Sequence, residues 1–323
     1  MHMLLERLEH PERRYAAIHV VGTNGKSTAT RTIAALLHAV GRRAGAYTSP
    51  HVSGWSERIW IDGAEADFER AVARIRPHAE AIGAMQFEAL TAAALAEFAE
   101  QGIDVAVVEA GLGGRLDATN VVDAEVVLLT NVSLEHTEVL GETPEQIAEE
   151  KLAVAHAARV VVVPDNRYAN LLPKSATIVT GGAREAAEAF LGRAIGHDKA
   201  AALPGRLERR GRELWDGAHN PAGTAWLRAH ITGTYDVVVA SILRDKDADA
   251  MLADLAQLAP TMIATQSTNP RALAAVDLAA RARQHFRQVD TEPDPRRALA
   301  RARESTRGGI LVTGSLYLLA DLS

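Results

Sequence analysis

The sequence predicts an α/β protein of two domains, each built on a mostly parallel sheet. Three observations predict this. Short β-rich runs alternate with helical patterns along the chain, the order that parallel strands with crossover helices require. Several runs are apolar throughout, as strands buried on both faces are. The chain has 323 residues, more than one typical core needs and enough for two.

The elements follow in order. Ala16–Val21 reads as a short apolar strand and Ser27–Val40 as a helix. Gly45–Thr48 is a second strand, and Phe87–Ala99 is a helix with Ala and Leu on one face. Ile103–Val108 and Val126–Thr130 are apolar strands. Pro144–Ala157 opens with proline, whose missing N–H costs little at a helix start. Arg159–Val163 and Ala176–Thr180 complete the first series.

A second series runs from strand Leu214-Trp215 through helix Pro221–His230 and strand Tyr235–Ser241. Helix Ala248–Leu258, strand Met262–Thr265, helices Ala272–Phe286 and Pro295–Ser305, and strand Gly309–Val312 follow. Between the series, Gly196–Gly211 has broken periodicity and a dense run of charge, and reads as a linker. With the boundary near residue 200, the domains are 1–200 and 201–323.

Composition narrows the function. Hydrophobic residues make up 47% and charged residues 24%, a soluble globular balance. A net charge of −6 argues against nucleic acid as partner. There are no cysteines, which excludes disulfides, zinc–thiolate sites, iron–sulfur clusters and thiol nucleophiles. Met1–Arg7 lacks the apolar core of a signal peptide. No apolar run approaches the roughly 18–20 residues of a membrane helix. A cytoplasmic protein with no membrane partner is expected.

Five segments carry chemistry. Gly22-Thr23-Asn24-Gly25-Lys26-Ser27-Thr28 sits between a strand and a helix. Glycines let backbone N–H groups approach a triphosphate, the helix dipole favours the anion, and Lys26 supplies a cation. Ser27 or Thr28 reaches Mg²⁺ or a phosphate oxygen. Val20 stands where the commoner nucleotide loop has its first glycine, so this loop is a shorter variant. Glu109 ends a buried strand and opens the loop Ala110–Asn120, at a strand carboxyl end where open α/β sheets bind ligands; a solvated strand terminus is the alternative on this segment alone. His136 follows another buried strand, and a metal ligand and a packed loop histidine are both open readings. Tyr47–His51 ends a strand with hydroxyls. Asp216–Pro221 places an acid and a histidine at the end of the second domain's first strand; a turn with a helix cap at Asn220-Pro221 is the alternative there.

Taken together and in this order, these segments resemble the folylpolyglutamate synthase/dihydrofolate synthase branch of the Mur ligase family. Further matches extend the likeness nearly end to end: Ile18–Val21, Glu57-Arg58-Ile59, Phe87-Glu88, Leu140-Gly141, Glu150-Lys151, Pro204–Glu208, Asp245-Lys246-Asp247, Asn269–Ala272 and Val312–Tyr317. The resemblance implies a P-loop Mur-ligase-like first domain and a smaller Rossmann-like C-terminal domain. It implies an ATP-dependent amide ligase that adds L-glutamate to dihydropteroate or (tetrahydro)folate through an acyl phosphate. It implies Mg²⁺, in two ions, and small-molecule substrates only; a monomer is expected.

Residue by residue, the resemblance assigns Asn24, Gly25, Lys26, Ser27 and Thr28 to the ATP phosphates, and Arg206, Asp216 and His219 to the nucleotide from the second domain. It assigns Ser49, Glu109, His136 and Lys151 to the metal, Lys151 as a carbamate. That modification needs a neutral amine, so the Lys151 pKa should be depressed. Lys26, His136 and Lys151 are the catalytic set; Phe87, Leu116, Asp117 and Ala118 form the pterin side. The sequence departs from the branch at Ser27, where glycine is usual, in a short stretch before the first strand, and in a compressed stretch between Lys151 and Pro204. Glu185 falls where the adenine-contacting asparagine is expected. Two alternatives stay open: a Mur-type ligase with another carboxylate acceptor, and a nucleotide-binding homologue that no longer catalyses.

Overall fold

The structure is a computed structural model and describes residues 1–196 and 202–323. The chain divides into two compact units, Met1–Pro50 with Trp55–Ala201, and His51–Gly54 with Ala202–Ser323. Residues 197–201, where the sequence puts the boundary, lie outside the described residues.

In the first unit, helix α1 (His2–Arg7) precedes strand β1 (Ala16–Val21), helix α2 (Lys26–Ala39) and strand β2 (Ala44–Tyr47). Two short strands, β3 (Ile59–Ile61) and β4 (Ala64–Glu65), lead to helices α3 (Phe68–Ile82) and α4 (Gln86–Gln101). Strands β5 (Val105–Glu109) and β6 (Val126–Leu129), helices α5 (Thr137–Leu140) and α6 (Pro144–Leu152), strands β7 (Val160–Val163) and β8 (Thr177–Thr180) and helix α7 (Ala183–Leu191) follow. The sheet order is β4-β3-β2-β5-β1-β6-β7-β8. β2 through β8 in that order pair in parallel. β3 and β4 are antiparallel additions at one edge.

The apolar runs explain the layers. Along β1, Ile18 and Val20 pack against Ile33, Leu36 and Leu37 of α2. Ala17 and Val21 join the cluster on the other face, with Leu95 and Phe98 of α4. Each such aliphatic side chain, fully buried, is worth about 1.5–3 kcal/mol. The central strands are therefore fixed in register, and their carboxyl ends line up at one edge.

In the second unit, strands β9 (Glu208–Arg210) and β10 (Glu213–Trp215) form an antiparallel pair. Helix α8 (Pro221–His230), strand β11 (Val237–Ala240), helix α9 (Ala248–Leu255), strand β12 (Thr261–Ala264), helix α10 (Ala275–Ala282), strand β13 (Gln288–Thr291), helix α11 (Pro295–Ser305), strand β14 (Ile310–Thr313) and helix α12 (Leu316–Leu322) complete it. The order is β13-β12-β11-β14-β10-β9. Helices α8, α9 and α10 bury leucines in one apolar cluster, while α11 and α12 contribute to another. This is the doubly wound, Rossmann-like arrangement.

Several elements depart from the sequence reading. The stretch read as a linker contains β9, an edge strand whose charged Glu-Arg-Arg run hides it. The helix expected over 144–157 ends at Leu152 and tightens into a 3₁₀ turn over Ala153–Ala157. The helix expected over 272–286 is shorter, because Ala272 bridges to Leu243 and the Leu273 N–H donates to Ile242 O. Helix α3 is absent from the sequence reading although it has Asp67 as N-cap and Gly83 as C-cap; the internal Pro77 masks its period.

Candidate active site

The phosphate-type loop joins β1 to α2. Gly22 has φ +145°, and a Cβ there would collide with the Thr130 hydroxyl, so only glycine fits. Gly25 precedes α2 with φ +80°. The loop is held by the segment after β6. Thr23 N–H donates to Asn131 O at 3.0 Å, and Asn24 N–H donates to Asn131 Oδ1 at 2.9 Å. The Thr130 hydroxyl donates to Asn24 O at 2.7 Å. Loop and helix N-terminus together offer oriented N–H dipoles to an anion.

Ser27, Glu109 and Ser49 meet beside this loop. Glu109 ends β5 and is 1% exposed. The Ser27 hydroxyl donates to Glu109 Oε1 at 3.0 Å, and Ser49 N–H donates to Oε2 at 3.0 Å. Ser27 is the buried hydroxyl of the Ser27-Thr28 pair, and Thr28 is exposed.

A second cluster gathers two lysines. Lys26 Nζ donates to Gly22 O at 3.0 Å and Thr23 O at 3.1 Å. Lys151, on α6 and 2% exposed, donates from Nζ to the same Gly22 O at 3.0 Å and to Glu135 Oε1 at 2.9 Å. Burial pushes the Lys151 amine below its ordinary pKa, Glu135 opposing and Lys26 adding to the shift. Burial would raise the Glu135 carboxyl, but Lys151 and Lys26 outweigh it and hold it below the usual range. Glu135 is absent from the sequence-based set; its signal was a carboxylate beside His136 in a loop following a buried strand. His136 takes left-handed backbone, φ +46°, as N-cap of α5, and its Nδ1 lies 4.0 Å from Glu138.

The loop after β5 is organised by Asp117, which accepts Leu112 N–H at 2.8 Å and Thr119 N–H at 2.9 Å. Gly114 lies so close to α6 that a Cβ would stand 2.7 Å from Glu150 O. Phe87 and Asp117 both face Gly111, and Ala118 is half-buried beside them in sequence. Leu116 is 92% exposed and stands in solvent. Behind the loop, His19 of β1 is fully buried and shares a 2.8 Å hydrogen bond between Nε2 and Thr119 Oγ1. Burial lowers its pKa to about 4, with Asp117 opposing and His156 adding to the shift.

In the second unit, Asp216 follows β10 and accepts Leu207 N–H and Ala218 N–H, each at 2.9 Å. Burial raises its carboxyl pKa. Arg206 lies over Gly217, and His219 Nδ1–H donates to Gly217 O at 2.9 Å. Asn220 caps α8, accepting Gly223 N–H at 2.8 Å, with Pro221 at the first helical position. The cap and the acid–histidine turn are thus both present. Glu185 is drawn into its own helix: its carboxylate accepts Gly182 N–H at 2.7 Å at the start of α7.

The oxygens brought together here are the Glu109 carboxylate and the Ser27 hydroxyl, with Ser49 joined to Glu109 through its backbone N–H. They suit a hard divalent ion that completes its shell with water and phosphate oxygens. Among the described residues no three His, Asp or Glu side chains form a metal-holding group. The fit is to Mg²⁺-type chemistry shared with a nucleotide.

Comparison with known proteins agrees with this geometry. The Mur ligase middle domain matches residues 20–201, and the Mur ligase glutamate ligase domain matches residues 205–316. The dihydrofolate synthase/folylpolyglutamate synthase of Mycobacterium tuberculosis is 32% identical, over 88% of this chain and 77% of that protein. The crystal structures of the M. tuberculosis folylpolyglutamate synthase complexed with ADP and AMPPCP include a chain 31% identical, with TM-score 0.89, covering 99% of this chain and 93% of that one. A Yersinia pestis bifunctional folylpolyglutamate synthase/dihydrofolate synthase with Mn, AMPPNP and L-glutamate bound superposes with TM-score 0.85 at 27% identity, over 99% and 91% of the two chains. The chain therefore belongs to the Mur ligase family, in its dihydrofolate synthase/folylpolyglutamate synthase branch.

Proposed function

We propose that the chain is an ATP-dependent ligase that joins the amine of L-glutamate to the carboxylate of dihydropteroate or a (tetrahydro)folate. The observation that carries this is the gathering of Lys26, the Ser27–Glu109–Ser49 cluster and the Lys151–Glu135 pair around one phosphate-type loop. The Y. pestis relative, described with Mn, AMPPNP and L-glutamate, supports the same set of ligands here.

A carboxylate is a poor electrophile. In the first step its oxygen attacks the γ-phosphorus of ATP, the bond to the β-phosphate oxygen breaks, and ADP leaves. The glutamate amine then attacks the acyl carbon, the C–O bond to phosphate breaks, and the amine gives up a proton. The work of the protein is positioning and charge neutralisation. The N–H groups from Asn24 to Thr28 cradle the phosphates. Lys26, resting on the loop carbonyls, turns to the transferring phosphoryl group. Arg206, Asp216 and His219 take the nucleotide from the second unit, and Phe87, Leu116, Asp117 and Ala118 take the pterin side.

Mg²⁺ bound by Ser49 and Glu109, and a second ion bound by His136 and a carbamylated Lys151, would neutralise phosphate charge. The depressed Lys151 pKa favours the neutral amine that carbamylation needs. Glu135 works the other way, and a carbamate beside it is tolerable only with a cation between them. Intact mass under CO₂-rich conditions tests the modification. We take residues 1–200 as the ATP-binding ligase domain and 201–323 as the second ligase domain, although His51–Gly54 group with the second compact unit. The reading takes the chain as a cytoplasmic monomer, which sedimentation and fractionation check.

The deciding assay is phosphate release by the purified protein. Release should require ATP, Mg²⁺, glutamate and dihydropteroate or tetrahydrofolate together, with Lys26→Ala as the blank. No acceptor-dependent release with either pteridine would sink the proposal.

A further inference from the structure

The first unit holds a cavity of about 530 Å³ beside Ala16, at the N-terminal end of β1. The phosphate-type loop leaves the opposite end of that strand. Small-molecule sites run from about 300 to 1,000 Å³, so the cavity has room for more than solvent.

Two of its lining residues each hold a buried oxygen that lacks a partner. Glu12 is 8% exposed. Its Oε1 accepts from His10 Nδ1–H at 2.9 Å and lies 3.6 Å from Arg13 Nε. Its Oε2 has no hydrogen-bond partner. Asn120 donates from Nδ2 to Arg115 O at 2.9 Å, while its Oδ1 is likewise buried and unpartnered. Leaving a buried acceptor unmade is costly, most of all on a carboxylate. Both orphans are acceptors, so what completes them must donate.

Charge points the same way. The wall carries Glu12, Asp123 and Glu125 against a single guanidinium, Arg13; Arg159 meets Glu125 at 3.1 Å but does not line the cavity. Imidazoles, His10 among them, supply further ring nitrogens. A metal ion is disfavoured, because among the described residues no three such groups are placed to hold one.

We infer that this cavity binds a small organic cation with N–H donors, an alkyl amine or a guanidine, which donates to Glu12 Oε2 and Asn120 Oδ1. The site is separate from the ligase chemistry and stands or falls without it.

Agmatine, which carries both groups, is the probe. Calorimetric titration of the full chain should show one saturable site. Glu12→Gln should weaken it by about tenfold or more, as loss of a charge-assisted bond does, with ATP binding unchanged. Should Glu12→Gln melt early, Asp123→Asn on the exposed wall should weaken agmatine by about threefold, the scale of an exposed charge pair, at an unchanged melting temperature. Absence of saturable binding overturns the inference. So does binding that neither variant weakens, or binding displaced by ATP. Saturable Zn²⁺ binding lost in His10→Ala, with no agmatine binding, would make this a metal site and overturn it equally.

Discussion

Replacing Glu109 by glutamine tests the candidate site while barely touching its shape. Glu109 sits at the end of β5 with both oxygens engaged, one by the Ser27 hydroxyl and one by the Ser49 N–H, each at 3.0 Å. A glutamine can keep both contacts. Its carbonyl oxygen accepts the Ser49 N–H, which can only donate, and its amide donates to the Ser27 hydroxyl, which can rotate to accept. What disappears is the negative charge and the charge assistance on two hydrogen bonds. Charged hydrogen bonds contribute about 1.5–3 kcal/mol and neutral ones about 0.5–1.5, and the buried charge no longer has to be desolvated. The net stability change should therefore stay within about 1–2 kcal/mol. Activity should respond far more. Removing one preorganised electrostatic element typically costs about 10²–10³ in kcat, and here the only carboxylate in the oxygen cluster is lost. Acceptor-dependent phosphate release should fall by about a hundredfold or more, while the thermal midpoint moves by no more than a few degrees. Turnover within about threefold of the parent, with the fold intact, would refute the assignment of Glu109 to the metal and phosphate site.

Three further outcomes are expected. Gly22→Ala sets a Cβ against the Thr130 hydroxyl at φ +145°, and should cost about 1–3 kcal/mol by chemical denaturation and weaken ATP binding. Glu135→Gln removes the carboxylate beside Lys151 and leaves both lysines on one carbonyl without it; the KM for ATP should rise by about tenfold, and Glu135→Asp should recover part of it. His19, with its pKa lowered to about 4 against an ordinary 6.5, is buried neutral. The unfolded chain takes up that proton first, so the contribution is complete above pH 6.5 and is lost as pH falls toward 4. The loss approaches about 3 kcal/mol, and His19→Gln should flatten that part of the stability–pH curve.

The two sheets were legible because their central strands are nearly continuous apolar runs. β5, β6, β7 and β11 stand out by composition alone, and crossover logic makes them parallel. The elements that escaped lack that signal. β3 and β4 are short edge strands, β9 is wholly charged, and α12 is seven residues at the C-terminal end. Their positions depend on tertiary neighbours: Val52, outside any helix or strand, shares an apolar cluster with Leu316 and Leu319 of α12.

The site was legible to the extent that its residues sit at strand ends within local motifs. Gly22 to Thr28, Glu109 and Asp216 are each announced by the strand before them. What a local motif cannot announce is a partner chosen by distance. The second role of Gly22 arises only when Lys151, 129 positions on, brings its amine to the same carbonyl as Lys26. Two lysine amines donate to one oxygen, and Glu135 accepts a second bond from Lys151. Glu185 makes the converse point. By sequence position it stands where the family's adenine-contacting asparagine is expected, but three residues past Gly182 it satisfies a backbone donor that α7 would otherwise leave open. A carboxylate is therefore better assigned by the donor nearest to it in space than by its position along the sequence, and on that rule Glu135 has the stronger claim to a part in the chemistry.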